Sequence, residues 1–128
     1  MRMPFLLLAD DDEDDRFLFS EATRLIDPNI ACIMVSNGKQ LMALLENDFF
    51  SLPDYIFLDL NMPVMNGWDC LAAIRAHPVY RSCIVIIYST TLTETEKEQL
   101  VNAGAFACFI KPTRMEELVN LLKEFCAL

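Results

Sequence analysis

The chain has 128 residues, 54% of them hydrophobic, with 10 Lys and Arg against 19 Asp and Glu for a formal charge of −9. That length and apolar content suit one compact domain over residues 1–128, while the sign of the charge and the lack of a basic stripe exclude counterion-release binding to nucleic acid. No apolar run reaches the roughly eighteen residues of a membrane span, and the first residues lack the pattern of a secretion signal, so no membrane partner and a cytoplasmic location are expected.

Residues 5–8 are an apolar run that passes through Ala9 into the acidic cluster Asp10, Asp11, Asp12, Glu13, Asp14 and Asp15. A segment of helical length, 13–26, follows and stops at Asp27-Pro28-Asn29. Its stripe Leu18, Ala22, Leu25, flanked by Phe19 and Ile26, is expected to face the core. Phe17 is rotated toward the edge, where it either docks a partner helix or tucks against a neighbouring helix. Next come a second strand-like run at 30–35, the turn Ser36-Asn37-Gly38 and a helical segment at 38–47.

The third run, Tyr55-Ile56-Phe57-Leu58, ends in Asp59, and Leu60-Asn61-Met62-Pro63 lies directly behind it. Pro63 blocks a regular continuation, so Asp59 is placed at the carboxyl end of a buried strand. Asn66-Gly67 opens a helix over 67–76, with Trp68 near its start as a packing residue, and His77 in the connection beyond reads as a surface residue. The remaining runs are 83–88, which ends at Ser89, and 105–110, which ends at Lys111-Pro112. Between them stands a helix over 94–103 with Gly104 as its C-cap. A final helix over 115–125 carries Leu118, Leu121, Leu122 and Phe125 on one stripe. Only three residues come after it, so no attached output domain is expected.

Regular alternation of continuous apolar strands with helices predicts an α/β fold, a doubly wound parallel sheet with helices on both faces. In such a sheet the ends of the first, third, fourth and fifth strands meet at one rim and bring together Asp10 and Asp11, Asp59, Ser89 and Lys111. Carboxylates with a backbone carbonyl suit Mg²⁺, and like charges about 4 Å apart cost on the order of 4 kcal/mol at an effective dielectric near 20 without a cation. With Mg²⁺ and Lys111 to neutralise it, a phosphoryl group could be attacked by Asp59. Asp14 and Asp15 read as a solvated helix start. Asp10, Asp12, Asp14 and Glu21 also match acidic positions of a calcium-binding EF-hand loop, but Asp15 stands where that loop needs Gly. The five cysteines, Cys32, Cys70, Cys83, Cys108 and Cys126, lack a C-x-x-C pair and read as small core residues.

Asp10-Asp11 after a strand, Leu58-Asp59-Leu60-Asn61-Met62-Pro63, Gly67, Ser89 and Lys111-Pro112, in that order, make the chain resemble the receiver domains of response regulators, of the CheY-like type, over nearly its full length. The resemblance implies a five-stranded parallel sheet of order 2-1-3-4-5 and a stand-alone phosphorelay switch that is not a metabolic enzyme. It implies Asp59 as phosphoacceptor, with Mg²⁺ held by Asp10, Asp11, Asp59 and the main-chain carbonyl of Asn61. It further implies Ser89 as switch hydroxyl, Lys111 as phosphoryl contact and a cis Lys111-Pro112 bond. The implied partners are a sensor histidine kinase or histidine phosphotransfer protein and a downstream protein target, with a homodimer through the last strand and helix left open. Two departures stand out. Cys108 occupies the position where the family usually has an aromatic residue, leaving only Phe106 on its side of the strand, and Thr113 stands where Phe is frequent. Asn61 and Thr91, at positions that govern the lifetime of the phosphorylated form, offer no obvious general base, so slow self-dephosphorylation is expected. Two other readings are a receiver-like binding module that is never phosphorylated and an aspartyl-phosphate phosphatase. The second lacks an Asp two residues after the nucleophile, where Asn61 stands.

Overall fold

The computed structural model describes residues 3–47 and 51–126. Ala127 and Leu128, which the sequence places after the last helix, lie outside these described residues. Strands and helices alternate as β1 (Phe5–Ala9), α1 (Glu13–Ile26), β2 (Ala31–Val35), α2 (Gly38–Leu45), β3 (Tyr55–Leu58), α3 (Gly67–Ala76), β4 (Ile84–Ser89), α4 (Glu94–Asn102), β5 (Ala107–Ile110) and α5 (Met115–Phe125). All pairings are parallel and the order is β2-β1-β3-β4-β5. The expected α/β class and strand order hold.

Strand alternation divides the core in two. Leu7, Ile56, Leu58, Val85 and Ile87 point to the face covered by α2, α3 and α4, where Leu41, Leu71, Ile74 and Leu100 meet them. Leu6, Leu8, Phe57, Ile86 and Tyr88 point to the other face, beneath Phe19 and Ala22 of α1 and Leu118 and Leu122 of α5. The central strands β1, β3 and β4 are buried on both sides, which is why they read as unbroken apolar runs. At the sheet edges, β2 and β5 are only half-buried.

The starts of α2 and α3 carry the expected punctuation, and α4 adds a cap of its own. Asn37 and Asn66 cap α2 and α3 by accepting from the N–H groups of Gln40 and Asp69, and Thr93 with Glu96 forms a capping box on α4. The glycine just past α4, Gly104, has φ 111°, so the turn there needs a residue without Cβ. All five cysteines are free and buried or half-buried; burial pushes the Cys32 thiol up to about 12. They are packing residues, as the sequence suggests.

Two expectations are corrected. The stripe of α1 that faces the sheet is Phe19, Ala22, Thr23 and Ile26, while Leu18 and Leu25 lie exposed. Both sets have helical spacing. Phe19 settles the choice because its ring packs edge-on against Phe57 and Tyr88, with centroids 5.0 and 5.9 Å away. Thr23 tolerates burial because its hydroxyl donates to the carbonyl of Ser20. The Lys111-Pro112 bond is trans, since no cis peptide occurs among the described residues. An X-Pro bond prefers trans by about 0.5–1 kcal/mol.

Gly67, the first residue of α3, sets the distance between that helix and the end of β3. A Cβ there would sit 2.4 Å from the carbonyl oxygen of Asp59 and 2.9 Å from Cα of Leu60. Both are backbone atoms that cannot rotate away. Gly67→Ala is therefore expected to lower stability by about 1–3 kcal/mol, read as a lower urea midpoint with an unchanged slope; an unchanged midpoint would show that the strand end is free to shift.

Candidate functional site

The rim above the carboxyl ends of the strands is built by backbone hydrogen bonds that run one residue beyond the ladders. Asp10 N–H donates to the carbonyl of Val35, Asp59 N–H to Ala9 and Lys111 N–H to Ser89. Each residue is thereby fixed in register with its neighbouring strand before its side chain makes any contact. In the registers that precede them, Ala9 faces Leu58, Leu58 faces Ile87 and Ser89 faces Ile110. Parallel pairing thus places the two acids, the hydroxyl and the lysine at one level. This is the crevice where open α/β sheets carry their chemistry.

The side chains converge. Lys111 Nζ lies 2.8 Å from Asp10 Oδ2, 2.8 Å from Asp15 Oδ2 and 3.2 Å from Asp59 Oδ2. Its aliphatic stem and ammonium are nearly enclosed, and Nζ stands 5.6 Å above the centroid of the Tyr88 ring. Asp59 Oδ1 accepts the N–H of Asn61, and Asp10 Oδ1 accepts the N–H of Asp12. Asp10 Oδ2 faces the ammonium in a geometry that aligns no hydrogen bond, and Ser89 Oγ is fully buried with no hydrogen-bond partner among the described residues. A buried hydroxyl left in that state is costly unless a ligand or a conformational change gives it a partner.

Asp10, Asp11 and Asp59 each offer a carboxylate oxygen, and these three oxygens lie within 4.8 Å of one another. Three anionic oxygens at that spacing, two of them from buried residues, fit a hard divalent cation. Asp12 acts elsewhere, capping α1 by accepting the N–H of Asp15. Glu21 pairs with Arg24 on the exposed side of α1, away from any calcium loop. The EF-hand pattern in the sequence is therefore a coincidence of spacing. Asn61 is exposed beside Asp59.

Sequence reasoning missed Asp15. Grouped with a solvated helix start, it instead bonds Lys111 and is partly buried. The signal was present in the spacing, because three residues after the N-cap a side chain turns back over the first turn toward the rim, but only the fold brings Lys111 there. Tyr88 was missed too; its position in an apolar strand gave no hint that it would lie under the ammonium. Phe17 is 63% exposed on α1, so it is not tucked against a neighbouring helix. Cys108 packs on the α2–α3–α4 side of the sheet and Phe109 on the other, its ring 4.3 Å from that of Phe125. The alternation expected for β5 holds, but Phe106 is turned out to solvent rather than inward.

Behind the rim the backbone is strained at one place. Val64 has φ 70°, left-handed for a β-branched residue, within a tight turn in which Met65 N–H donates to the carbonyl of Pro63. Met65 in turn accepts from Gly38 N–H, which ties the loop after Asp59 to the start of α2.

Burial raises the carboxyl pKa of Asp10 to about 6; Lys111 and the N–H of Asp12 pull it down, and the charge of Asp59 adds to the rise. Burial works against the ammonium of Lys111, but Asp10 and Asp15 outweigh it and hold its pKa above the usual lysine value. For Asp10 the sign is clear: the native state keeps the proton longer than the denatured chain, so stability is lost as pH rises from the ordinary carboxyl range through about 6. Asparagine cannot titrate. In urea denaturation with EDTA present, the stability of Asp10→Asn relative to the native chain should therefore increase from pH 4 to pH 7 by up to about 3 kcal/mol, and a difference flat in pH would contradict this account.

Comparison with known proteins agrees with this geometry. The family model for the response regulator receiver domain matches residues 6–123. An uncharacterized 14.6 kDa protein from the sodA1 3′ region of Leptolyngbya boryana is 26% identical over 94% of this chain and 88% of its own length. The regulatory protein AtoC of Escherichia coli is 31% identical over 91% of this chain, which spans only 24% of that longer protein. The phosphorylated cyanobacterial phytochrome response regulator RcpA superposes with a TM-score of 0.87 at 26% identity, covering 97% of this chain and 91% of that one. The chain belongs to the response regulator receiver domain family, the signalling modules of two-component systems.

Proposed function

We propose that this chain is a stand-alone receiver, one domain over residues 1–128, in which Asp59 accepts a phosphoryl group from a phosphohistidine. The observation that carries this reading is the meeting of Asp59, Lys111 and the unpartnered hydroxyl of Ser89 beside an oxygen-rich acidic cluster. An Asp59 carboxylate oxygen attacks phosphorus, the phosphorus–nitrogen bond to the donor imidazole breaks, and the imidazole leaves with the electron pair and takes a proton. Lys111 supplies positive charge to the phosphoryl oxygens from a position already beside Asp59. Ser89 gains the partner it lacks when its hydroxyl donates to a phosphoryl oxygen, and that movement draws the segment after β4 toward the rim.

Asp10, Asp11, Asp59 and the main-chain carbonyl of Asn61 would hold Mg²⁺, which when bound offsets phosphoryl charge. The donor is a sensor histidine kinase or a histidine phosphotransfer protein, and the output is a protein-binding surface that changes with phosphorylation. Such a domain modifies itself and turns over no metabolite. With Cys108 packed in the place of an aromatic switch residue and Phe106 already outside, the change is carried by the backbone from Ser89 to Thr93, at the entry to α4.

Intact-mass measurement after incubation with acetyl phosphate is expected to show one added phosphoryl group with Mg²⁺ and none with EDTA. Asp59→Asn should abolish it. A folded native chain that gains no mass under any condition would favour a binding module that is never phosphorylated.

A further inference from the structure

Two sets of carboxylates overlap at the rim. The ammonium of Lys111 is met by Asp10, Asp15 and Asp59; the oxygens suited to a divalent cation belong to Asp10, Asp11 and Asp59. Asp10 and Asp59 are thus contested between the two cations. Asp11 serves only the divalent ion, and Asp15 serves only the ammonium. An ammonium has three N–H donors and no acceptor, so losing two of its three carboxylates would leave it nearly bare. Nothing in the divalent cluster competes for Asp15.

We propose that Asp15 is a positioning residue for Lys111: it keeps the ammonium over Asp59 when a divalent cation claims Asp10 and Asp59. Asp15 suits that role because its own place is fixed independently of the rim. Its N–H donates to the capping oxygen of Asp12, and four residues further along the same helix Phe19 locks α1 onto Phe57 and Tyr88. The Tyr88 ring beneath Nζ is a second contact that a metal does not contest. Without Asp15, Lys111 would follow neither oxygen of the cation-bound carboxylates and would turn toward solvent. The phosphoryl group would then meet less positive charge at the moment of transfer. This inference rests on the proposed phosphoacceptor role of Asp59 for its kinetic consequence, but not for the placement of Lys111.

The test uses the full chain with ¹⁵N-labelled lysine. The ammonium ¹H–¹⁵N resonance of Lys111, assigned by its loss in Lys111→Met, is visible only while the group is held away from exchange with water. On saturation with Mg²⁺ alone it should persist in the native chain and in Asp15→Glu, and vanish in Asp15→Asn. Persistence in Asp15→Asn, or absence from the native chain, would overturn the proposal. In parallel, the limiting rate of labelling by acetyl phosphate in Mg²⁺ should fall about tenfold in Asp15→Asn, recover in Asp15→Glu, and show no such tenfold step when the same change is made in Lys111→Met. An equal step in both backgrounds would mean that Asp15 acts as a general charge and not through Lys111. Urea midpoints for each variant separate these effects from loss of fold. If no chain is labelled, the phosphoacceptor reading fails while the resonance still decides the role of Asp15.

Discussion

A lysine ammonium enclosed by three carboxylates at the end of a parallel sheet is the interaction on which the rest of this structure depends. At about 4 Å and an effective dielectric near 20, each pair of like charges costs on the order of 4 kcal/mol, and a cation placed among the carboxylates offsets that repulsion. Lys111 supplies that cation from the chain itself. The balance remains uneasy: Asp10 keeps a raised pKa from its burial, one of its oxygens aligns no hydrogen bond, and Ser89 Oγ has no partner. A divalent cation and, on the proposed reading, a phosphoryl group would each satisfy a group that folding leaves unsatisfied.

The fold exists to bring those groups to one level. Parallel ladders between β1, β3, β4 and β5 align the strand ends, and single backbone hydrogen bonds beyond the β1–β2, β1–β3 and β4–β5 ladders fix Asp10, Asp59 and Lys111. The two apolar layers then hold the sheet rigid from both sides. Close approach at Gly67 seats α3 against the backbone of Asp59, so the phosphoacceptor candidate is supported by contacts that leave little room for it to shift. The strained turn at Val64 lies in the loop directly behind, where over-determined backbone commonly accompanies function.

Most of this was legible in the sequence, for identifiable reasons. Central strands buried on both faces appear as unbroken apolar runs, and the segments of helical length between them give α1, α3 and α5 their expected limits, with Asn66 marking the start of α3. Asp10, Asp59, Ser89 and Lys111 were legible because each directly follows or ends such a run. The face of α1 was not, since Leu18–Leu25 and Phe19–Ile26 are both apolar at helical spacing and only aromatic packing on Phe57 and Tyr88 selects between them. Asp15 was hidden in the same way. Its partner lies 96 residues away in sequence, and local rules for helix starts explain an acidic first turn without it.

Asp10, Asp11 and Asp59 are proposed to form a divalent-cation site that shares Asp10 and Asp59 with the ammonium of Lys111. Calorimetric titration of Mg²⁺ into the native chain measures this directly. One site per chain, lost in Asp59→Asn and Asp10→Asn while both variants remain folded, is the predicted result. An absence of saturable binding to the native chain, or binding that survives both substitutions, would contradict it.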